Sequence, residues 1–429
     1  QLYAQALALQ APPEQNVLNP FGQAIAVNPF VGQPGQRKQS RLNEAALAEI
    51  PEPAQTQVSA RSNESFDAPV LLASRDSEPG LRTASSGAAS TTPAPAIDPR
   101  AAIQTELDTL REARSPQIKQ GVTFRGNDSE SGLGKITDVE APLEISVPWN
   151  DDRLALRITP VSLNAGGVSS EPADRFRFGG FTTEQIANLA NAGSEAQIEQ
   201  AASDLFFGST GKQKDTGVGF AVAYENPSLG LKSDLGVSPV GFLYSTVVGG
   251  INLDRSFSEG SNWRYGLNLS RRSVTDSLTS FAGARDARSG LEWGGVTANG
   301  GRLQLGYDNQ RYGVYGYGSW HKLVGHNVDD NTRTELGSGI YWYLLNNQDK
   351  RLTAGLSVTG TQYDENQSFF TYGHGGYFSP QNFFSIAIPV NWAHRGPDWS
   401  YQVNGSLGMQ HIEQDGAPYF PRDARLQAA

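Results

Sequence analysis

The amino-acid sequence predicts an all-β fold over residues 116–429, a transmembrane antiparallel β-barrel of the outer-membrane type. Hydrophobicity alternates with a period of two residues over most of this range, as expected for strands with one apolar and one polar face. Apart from 239–244, the connections between these strands alternate between short and long, as in barrels with short periplasmic turns and longer external loops. No stretch of about 18 apolar residues occurs, which excludes a membrane-spanning helix.

The composition narrows the class of protein further. The 429 residues include 47 Gly, one Met and no Cys, and the net charge is -10 with both signs scattered along the chain. The lack of Cys excludes a disulfide scaffold and a Cys-ligated metal site. A nucleic-acid-binding protein needs a basic face that displaces counterions from phosphates, so we expect no nucleic-acid partner.

The first 115 residues predict a helical and disordered lead-in rather than part of the wall. Residues 1–10 read as the end of an amphipathic helix, which Pro12 and Pro13 stop. Residues 11–100 are rich in Pro, Ala, Ser, Gln and Glu without sustained periodicity, which predicts a disordered linker. Residues 101–115 predict a short helix. Both ends of the sequence look clipped from a longer protein.

Thirteen strands are predicted after this lead-in. If the lead-in enters from the periplasm, the short turns lie on the periplasmic side and the thirteenth strand ends outside. One or three further strands would then complete a barrel of fourteen or sixteen strands, wide enough for an aqueous channel, and we expect about sixteen. The predicted strands are 117–126, 136–147, 153–164, 215–225, 229–238, 245–256, 262–274, 294–308, 312–322, 333–345, 351–363, 383–394 and 400–412.

The long connection 165–214 contains a predicted helix at 183–206, with Thr182, Thr183 and Glu184 as its cap and first turn. This insertion either covers or plugs the pore or lies on the surface. Tryptophans in or beside the strands fit interfacial aromatic girdles, with ordinary core aromatics as the alternative. They are Trp149, Trp263, Trp293, Trp320, Trp342, Trp392 and Trp399.

Catalytic and cofactor-binding motifs are missing from the sequence. Gly217-Val218-Gly219 lacks the third glycine and the helix of a nucleotide-binding loop, and paired Asp residues lie in predicted turns. We therefore expect no enzyme, no cofactor and no metal site. The histidines are too widely spaced for a helical zinc-binding pair: His321, His326, His374, His394 and His411.

Two stretches carry a family resemblance. Residues 115–166 include GVTFR at 121–125 and ITPVSLNAG at 158–166, and YGHGGYFSPQ at 372–381 precedes a strand containing PVNW. Both stretches resemble the C-terminal domain of the outer-membrane cellulose export component of the bacterial cellulose synthase. The likeness covers roughly residues 101–429.

The resemblance implies a barrel in the bacterial outer membrane that guides a nascent β-1,4-glucan outward without catalysis. It also implies a periplasmic tetratricopeptide array before the barrel, of which residues 1–10 look like the last part. The implied partners are the nascent cellulose chain, outer-membrane lipid, and, through the N-terminal repeats, periplasmic and inner-membrane components of the cellulose synthase. The N-terminal segment would lie in the periplasm.

One loop, 367–382, is rich in aromatic rings and glycines and is the first candidate site. Flat rings can lie against glucose units in any register, and the glycines would let the loop bend into the mouth as a gate. The alternative is that the rings only pack the loop onto the barrel rim. The candidates are Phe369, Phe370, Tyr372, His374, Gly375, Gly376, Tyr377 and Phe378.

The second candidate site is the inward face of the wall. Its predicted residues are mostly neutral hydrogen-bonding groups, which suit an uncharged glycan, although a polar lumen is the default for any porin. The rival functions are therefore a general or other polysaccharide porin, and a soluble all-β glycan-binding protein or glycan hydrolase. The predicted lumen residues are Asn268, Arg272, Arg302, Gln304, Thr359, Asn391, Asn404 and Gln410.

Overall fold

The computed structural model describes residues 115–150, 152–180, 193–199, 209–258, 260–347, 350–395 and 400–428. The predictions for residues 1–10 and 11–100, and for all of 101–115 except Ser115, lie outside the described residues. Of the predicted helix 183–206, the structure describes residues 193–199, and the backbone of 195–199 is helical.

Antiparallel strands dominate the described part of the chain. None of the described helices is long and apolar enough to cross a membrane. Besides the helical backbone of 195–199, the described helices are Pro172–Phe176, Leu278–Phe281 and Ala424–Ala428. The strands, in chain order, are β1 Gln117–Gln120, β2 Thr123–Asn127, β3 Ile136–Glu140, β4 Leu143–Trp149, β5 Asp152–Gly167, β6 Phe178–Gly179, β7 Lys212–Asn226, β8 Leu231–Val240, β9 Val247–Ser256, β10 Trp263–Ser273, β11 Ala284–Arg285, β12 Glu292–Asp308, β13 Tyr312–His326, β14 Asn331–Asn346, β15 Lys350–Tyr363, β16 Phe370–Thr371, β17 Asn382–Arg395 and β18 Ser400–Glu413.

Sixteen of these strands form one sheet in the order β1-β4-β5-β7-β8-β9-β10-β12-β13-β14-β15-β17-β18, with β2, β3 and β11 attached beside it. The long strand β5 pairs with β4 along its first half and with β3 along its second half. Likewise, β1 pairs with β4 while β2 pairs with β3. Among the described residues, β1 and β18 form the two edges of this sheet.

The predicted strands 117–126 and 136–147 are therefore each broken in two. The break in the second falls at Ala141-Pro142, where Pro142 has no N–H to give to the sheet. Instead, the carbonyl of Pro142 accepts from Gly121 at the break of the first strand, and Ala141 donates to Pro160. Counting each broken strand once, the described part of the wall has thirteen strands, as predicted.

The two faces of the wall have opposite chemistry, and the apolar face points outward. On β17, the exposed positions are Phe384, Ile386, Ile388 and Val390. The alternate positions are buried and include Ser385 and, after Val390, Asn391. Other inward positions bury polar or charged side chains, among them Asp138, Glu144, Arg272 and Thr353. A soluble sheet buries its apolar face, so this inversion is that of a barrel wall in lipid. The all-β barrel class is confirmed.

Exposed aromatic residues bound the apolar outer face. Tyr312 and Trp320 both point outward on β13, eight residues apart, and are 39% and 54% exposed. Eight residues span about 27 Å along a strand, which a tilt of about 40° reduces to roughly 21 Å, close to the apolar band of outer-membrane barrels. Trp149, Trp263 and Trp342 are likewise exposed.

Trp293 departs from the predicted girdle. It is fully buried, with its ring centroid 5.3 Å from that of Phe178. The girdle interpretation is wrong for this residue, because connecting segments fold over the end of the wall and cover it. Trp399 lies outside the described residues.

The longest connections all lie at one end of the wall, as predicted, although β8–β9 and β13–β14 at that end are short. The turns β4–β5, β7–β8, β12–β13, β14–β15 and β17–β18 are short and lie at one end, called here the short-turn end. The connections β5–β7, β10–β12 and β15–β17 are the longest and lie at the opposite, long-loop end. The segment after β18 also starts at that end.

Candidate functional site

The connections at the long-loop end interlock into one structure, called here the cap. It consists of residues 128–135, 168–180, 241–246, 274–291, 327–330, 364–381 and 414–428. Its centre is a two-stranded parallel sheet in which Phe178 of β6 pairs with Phe370 of β16. These strands lie in the β5–β7 and β15–β17 connections, which leave the wall far apart, with seven strands between β5 and β15. The cap therefore joins distant parts of the wall across its end.

A hydrophobic core holds the cap together. Phe178, Trp293, Phe370 and Tyr377 are each at most 2% exposed and belong to one cluster. The Tyr377 ring also lies 6.2 Å from that of Tyr363 at the end of β15, measured between centroids. Burying aromatic side chains of this size contributes roughly 1.5–3 kcal/mol each, so the closed cap is stable.

The structure brings all eight predicted loop residues into the cap. Phe370, His374, Gly375, Gly376, Tyr377 and Phe378 are buried, and Phe369 and Tyr372 are half-buried. Gly376 has a positive φ of 66°, and a Cβ on Gly375 would lie 2.2 Å from the Tyr377 ring. Glycine is therefore required at both positions. In this closed arrangement, the buried rings pack the loop and do not face open space.

His374 fixes the loop to the segment after β18. Its Nε2 lies 2.9 Å from the carbonyl oxygen of Pro418, and its ring contacts Phe369 edge-on at 5.3 Å between centroids. Burial lowers the pKa of His374 to about 4, although the hydrogen bonds to the backbone of Pro418 and Asn366 oppose this. The ring is therefore neutral in the closed cap at ordinary pH.

The segment 414–422, called here the strap, runs over the β15–β17 connection. Asn366 Nδ2 donates to the carbonyl of Asp415 at 2.7 Å, and Thr371 Oγ1 donates to that of Tyr419 at 2.5 Å. The Tyr419 hydroxyl donates to the carbonyl of Phe176, on the far side of the cap. Under the strap is a polar cavity of about 490 Å³, lined by Asp329, Asp330, Glu365, Asn366, Gln367, His374, Ala417, Pro418, Pro421 and Arg422.

Polar contacts fasten the underside of the cap to the wall. The Arg125 guanidinium on β2 donates to Asp138 at 2.8 Å and to Glu140 at 2.7 Å. It also donates to Thr275 Oγ1 at 2.9 Å, in the β10–β12 connection. The next residue, Asp276, accepts the backbone N–H of Phe378. One carboxyl and one guanidinium thus link two connections of the cap to the first strands.

The predicted lumen residues all lie on the inward face, in separate groups. Asn268 pairs in register with Arg302, and Gly266 with Gln304, on β10 and β12. Arg272, on the same face of β10, forms a buried ion pair with Asp234, with an Nη1–Oδ2 distance of 2.7 Å. Near the β18 edge of the sheet, on the same face, Asn391 faces Asn404, Ser385 faces Gln410, and Thr353 faces Asn391. Thr359 lies between these groups, on β15.

The predicted site did not include a column of inward tyrosines that the structure shows on β13 and β14. The Arg302 guanidinium lies 3.8 Å from the centre of the Tyr317 ring, and the Tyr317 hydroxyl lies 3.4 Å from Thr359 Oγ1. Nearer the short turns, Tyr341 and Tyr343 both donate to Asp308 Oδ2, at 2.5 and 2.7 Å. The period-two alternation was the available signal, because it places these residues on the predicted inward face.

Metal-binding geometry is not found among the residues that the structure describes: no group of three or more His, Cys, Asp or Glu side chains is placed to hold an ion.

Solved structures of outer-membrane proteins are similar to parts of the chain. The FrpB iron transporter from Neisseria meningitidis is similar over 69% of this chain and 52% of its own, at 10% identity and a TM-score of 0.37. OmpT of Vibrio cholerae with loop L8 deleted is similar over 70% of this chain and 96% of its own, at 8% identity and a TM-score of 0.32.

Curated relatives are much more similar in sequence, and three of them bear the name cellulose synthase operon protein C. The one from Pseudomonas fluorescens is 49% identical over 94% of this chain and 28% of its own length. Those from Xanthomonas axonopodis and Salmonella typhimurium are 30% and 32% identical over 78% and 68% of this chain, and 30% and 23% of their own lengths. The chain thus spans less than a third of the relatives that it matches.

A family model agrees with these relatives. The model of the cellulose synthase operon protein C C-terminus matches residues 134–429, which include every described wall strand from β3 onward and most of the cap. This range is more than half of the chain. The chain therefore belongs to the family of cellulose synthase operon protein C C-terminal domains.

Proposed function

We propose that the chain forms the wall and the external cap of an outer-membrane channel through which cellulose leaves the cell, without catalysis. The observation that carries this proposal is the combination of an apolar outer face, a polar inner face and a cap over one end. The family supports it, because the relatives take their name from a cellulose synthase operon. The resemblance noted in the sequence suggests the same substrate.

Three inward arginines are each paired with an inward carboxylate, which suits an uncharged polymer. Arg272 pairs with Asp234, Arg264 with Asp254 and Arg157 with Glu144, each with oxygen and nitrogen atoms in contact. Paired charges leave little net field along the lumen, whereas a charged polymer is attracted by an excess of the opposite sign. The neutral side chains of Asn268, Gln304 and Asn391 can exchange hydrogen bonds with sugar hydroxyls.

The cap is proposed to act as the gate of this channel. It covers the long-loop end, which faces outside when the N-terminal segment is periplasmic. Export then requires the β5–β7 and β15–β17 connections to separate. Separation would expose the rings of Phe370, Tyr377 and Phe378, which could contact the emerging glucan beside Phe369 and Tyr372. Periplasmic and inner-membrane components of the synthase would deliver the chain through the N-terminal repeats.

A reversible cross-link across the cap tests this gate. Phe178 and Phe370 are direct partners in neighbouring strands, so their Cα atoms lie about 5 Å apart, within the range that a disulfide spans. This chain has no Cys, so Phe178→Cys/Phe370→Cys introduces a single possible bond within it. The pair is placed in the full-length protein, in cells that lack their own copy, and secreted cellulose is measured before and after reductant.

We expect oxidised cells to secrete little cellulose and reductant to restore secretion. The single variants Phe178→Cys and Phe370→Cys are the matched controls for lost packing, and neither should respond to oxidant. Equal secretion in the cross-linked and reduced states, with the disulfide demonstrated, would contradict the gate. Restored uptake of small solutes without restored cellulose would favour a general porin.

A further inference from the structure

Four basic side chains lie on the outer face of the wall near the long-loop end, and they are called here the basic rim. They are Lys212 and Lys214 on β7, Arg271 on β10 and Lys322 on β13, and all four are exposed. None of them belongs to the lumen or the cap. The proposed channel gives them no role.

Strand alternation shows that the basic rim points outward. Arg271 follows the exposed Leu269 by two residues, and Lys322 follows the exposed Trp320 by two residues. In register, Arg271 is opposite Asn299, and Asn299 is opposite Lys322. The two cations are therefore on the same face, two strand spacings or about 10 Å apart. Each follows an exposed apolar residue of the outer face toward the long-loop end, the end at which the outer-leaflet headgroups lie in the proposed orientation.

The Arg271 charge is held in place without being neutralised. Its guanidinium donates to the carbonyl of Val247 at 2.9 Å, to Thr246 Oγ1 at 2.9 Å and to Asn299 Oδ1 at 2.6 Å. All three acceptors are neutral. A fixed guanidinium with its full charge is well suited to an anionic oxygen group.

The other members of the basic rim add to this charge. Lys212 and Lys214 form no ion pair with any carboxylate in the part of the chain that the structure describes. Lys322 is 2.8 Å from Asp330, and both side chains are half exposed, so solvent screens that pair. Four cations and one carboxylate leave an excess of positive charge along β7–β13.

The rest of the outer face differs near the long-loop end. The outward rim positions of β14–β18, among the described residues, carry Thr332, Gln362, Asn382, His411 and Glu413. No Lys or Arg is among them. The positive charge is thus confined to one arc of the wall, although the chain as a whole carries a net charge of -10. A general attraction to the membrane would not require such an arc.

We propose that the basic rim binds the phosphate groups of phosphorylated lipid headgroups in the outer leaflet. The inference rests on the membrane placement of the wall in the proposed function. Phosphate oxygens on a lipid meet the rim at the height where its side chains lie, and each basic residue near an anionic surface strengthens binding. The two lysines of β7, two residues apart on the same face, lie farther toward the long-loop end than Arg271, because Arg271 is level with Val222 on β7 through Gly249 and Leu235. They would contact phosphate groups that lie farther from the bilayer centre.

Lipid retention by the full chain tests this proposal. The protein is reconstituted in phosphatidylcholine liposomes with or without lipid A, extracted, and analysed by native mass spectrometry for bound lipid. Lys212→Gln/Lys214→Gln removes two charges that make no described hydrogen bond, so the wall is expected to fold. A further variant adds Arg271→Gln. Arg255→Gln is the matched control, because Arg255 is exposed and outward on β9 but lies at the short-turn end.

We expect wild type and Arg255→Gln to retain phosphorylated lipid equally. The double variant should retain it at least about tenfold more weakly, and the triple variant more weakly still. Equal retention by all variants, or an equal loss in Arg255→Gln, would overturn the proposal. Competition by millimolar inorganic phosphate as strong as by lipid A would assign the rim to free phosphate instead and also overturn it.

The same liposomes separate this inference from the proposed function. A wild-type chain that washes off phosphatidylcholine liposomes in alkaline carbonate is not embedded in the bilayer, and the channel itself then fails. A chain that stays embedded but shows no preference for lipid A removes only the headgroup site.

Discussion

The backbone N–H of Phe378 donates to Oδ2 of Asp276 at 3.1 Å, so a carboxyl of the β10–β12 connection holds the β15–β17 connection from beneath. Burial raises the pKa of Asp276 to about 7, against the opposing effects of the Phe378 N–H and of the positive charges of Arg333 and Arg125. The side chains of Tyr363 and Tyr377 also lie nearby. Closure of the cap therefore involves a carboxyl that keeps its proton in mildly acidic solution.

The cap should open as pH rises from about 4 to about 7 in a His374→Gln variant, in which Asp276 titrates without the opposing effect of the histidine. In the open cap, Asp276 would regain its ordinary pKa near 3.8, so the closed state binds more protons within this window and loses stability as pH increases. Each unit of pKa difference changes the opening constant up to about tenfold. Conductance of the reconstituted full chain, recorded across this window, measures the effect. A falling conductance would contradict it.

In the Asp276→Asn variant, conductance should change with pH in the opposite direction. The amide oxygen can still accept the Phe378 N–H, but no proton is exchanged at this position. His374 then dominates: its pKa is about 4 when buried and 6.5 when exposed, so the open state binds more protons between these values. Cap stability falls as pH decreases from about 6.5 to about 4, and conductance rises with acidification. The Asp276→Asn/His374→Gln double variant should be nearly flat, and a slope unchanged by either substitution would exclude both groups.

Leu336→Arg tests whether the outer face meets lipid. Leu336 is 64% exposed, six residues from Trp342 on β14, and thus lies within the apolar band. A charge there should cost about 2–4 kcal/mol in a bilayer, whereas the same change on a soluble surface is nearly neutral. Thr332→Arg, outward on the same strand but at the rim, is the control. Equal urea unfolding of both variants in liposomes would support the soluble rival.

Gly337→Ala should destabilise the wall by about 1–3 kcal/mol, as overpacking usually does. A Cβ at Gly337 would lie 2.3 Å from the Tyr317 ring, which is held by Arg302 above it and by Thr359 at its hydroxyl. Gly405→Ala, on β18, is the matched control, because a Cβ there meets nothing within 4 Å. Unfolding in detergent, followed by heat-dependent gel mobility, compares the two. Equal stabilities would mean that the tyrosine ring moves freely.

The wall was predictable from the sequence because each strand carries its own signal. Alternation along residues such as Phe384 to Val390 identifies a strand without knowledge of its neighbours. The lengths of the connections then show which strand ends lie at the same end of the wall. The break at Pro142 was also within reach, since proline cannot donate to a sheet. The predicted strand 136–147 is continuous because the apolar alternation resumes at once after this proline.

The cap was not predictable in the same way. Its bonds join residues far apart in sequence, such as Asp276 and Phe378, or Phe178 and Phe370, and two-residue strands leave no periodicity. Trp293 shows the result: beside a strand, it resembles a girdle residue, but the folded connections bury it. The aromatic loop was singled out in the sequence and lies in the cap, and its glucan contacts and its gating stay predictions.

The pairing of β6 with β16 also has a mechanical consequence for the wall. It links the ends of β5 and β15, which are separated by seven other strands, and so limits the distance between these two parts of the wall. A polymer that presses outward from the lumen would strain both the β6–β16 pairing and the curved sheet. On the proposed route, the lumen should therefore widen when β6 and β16 separate. Its diameter, as well as the opening of the cap, would then depend on whether a glucan chain is passing.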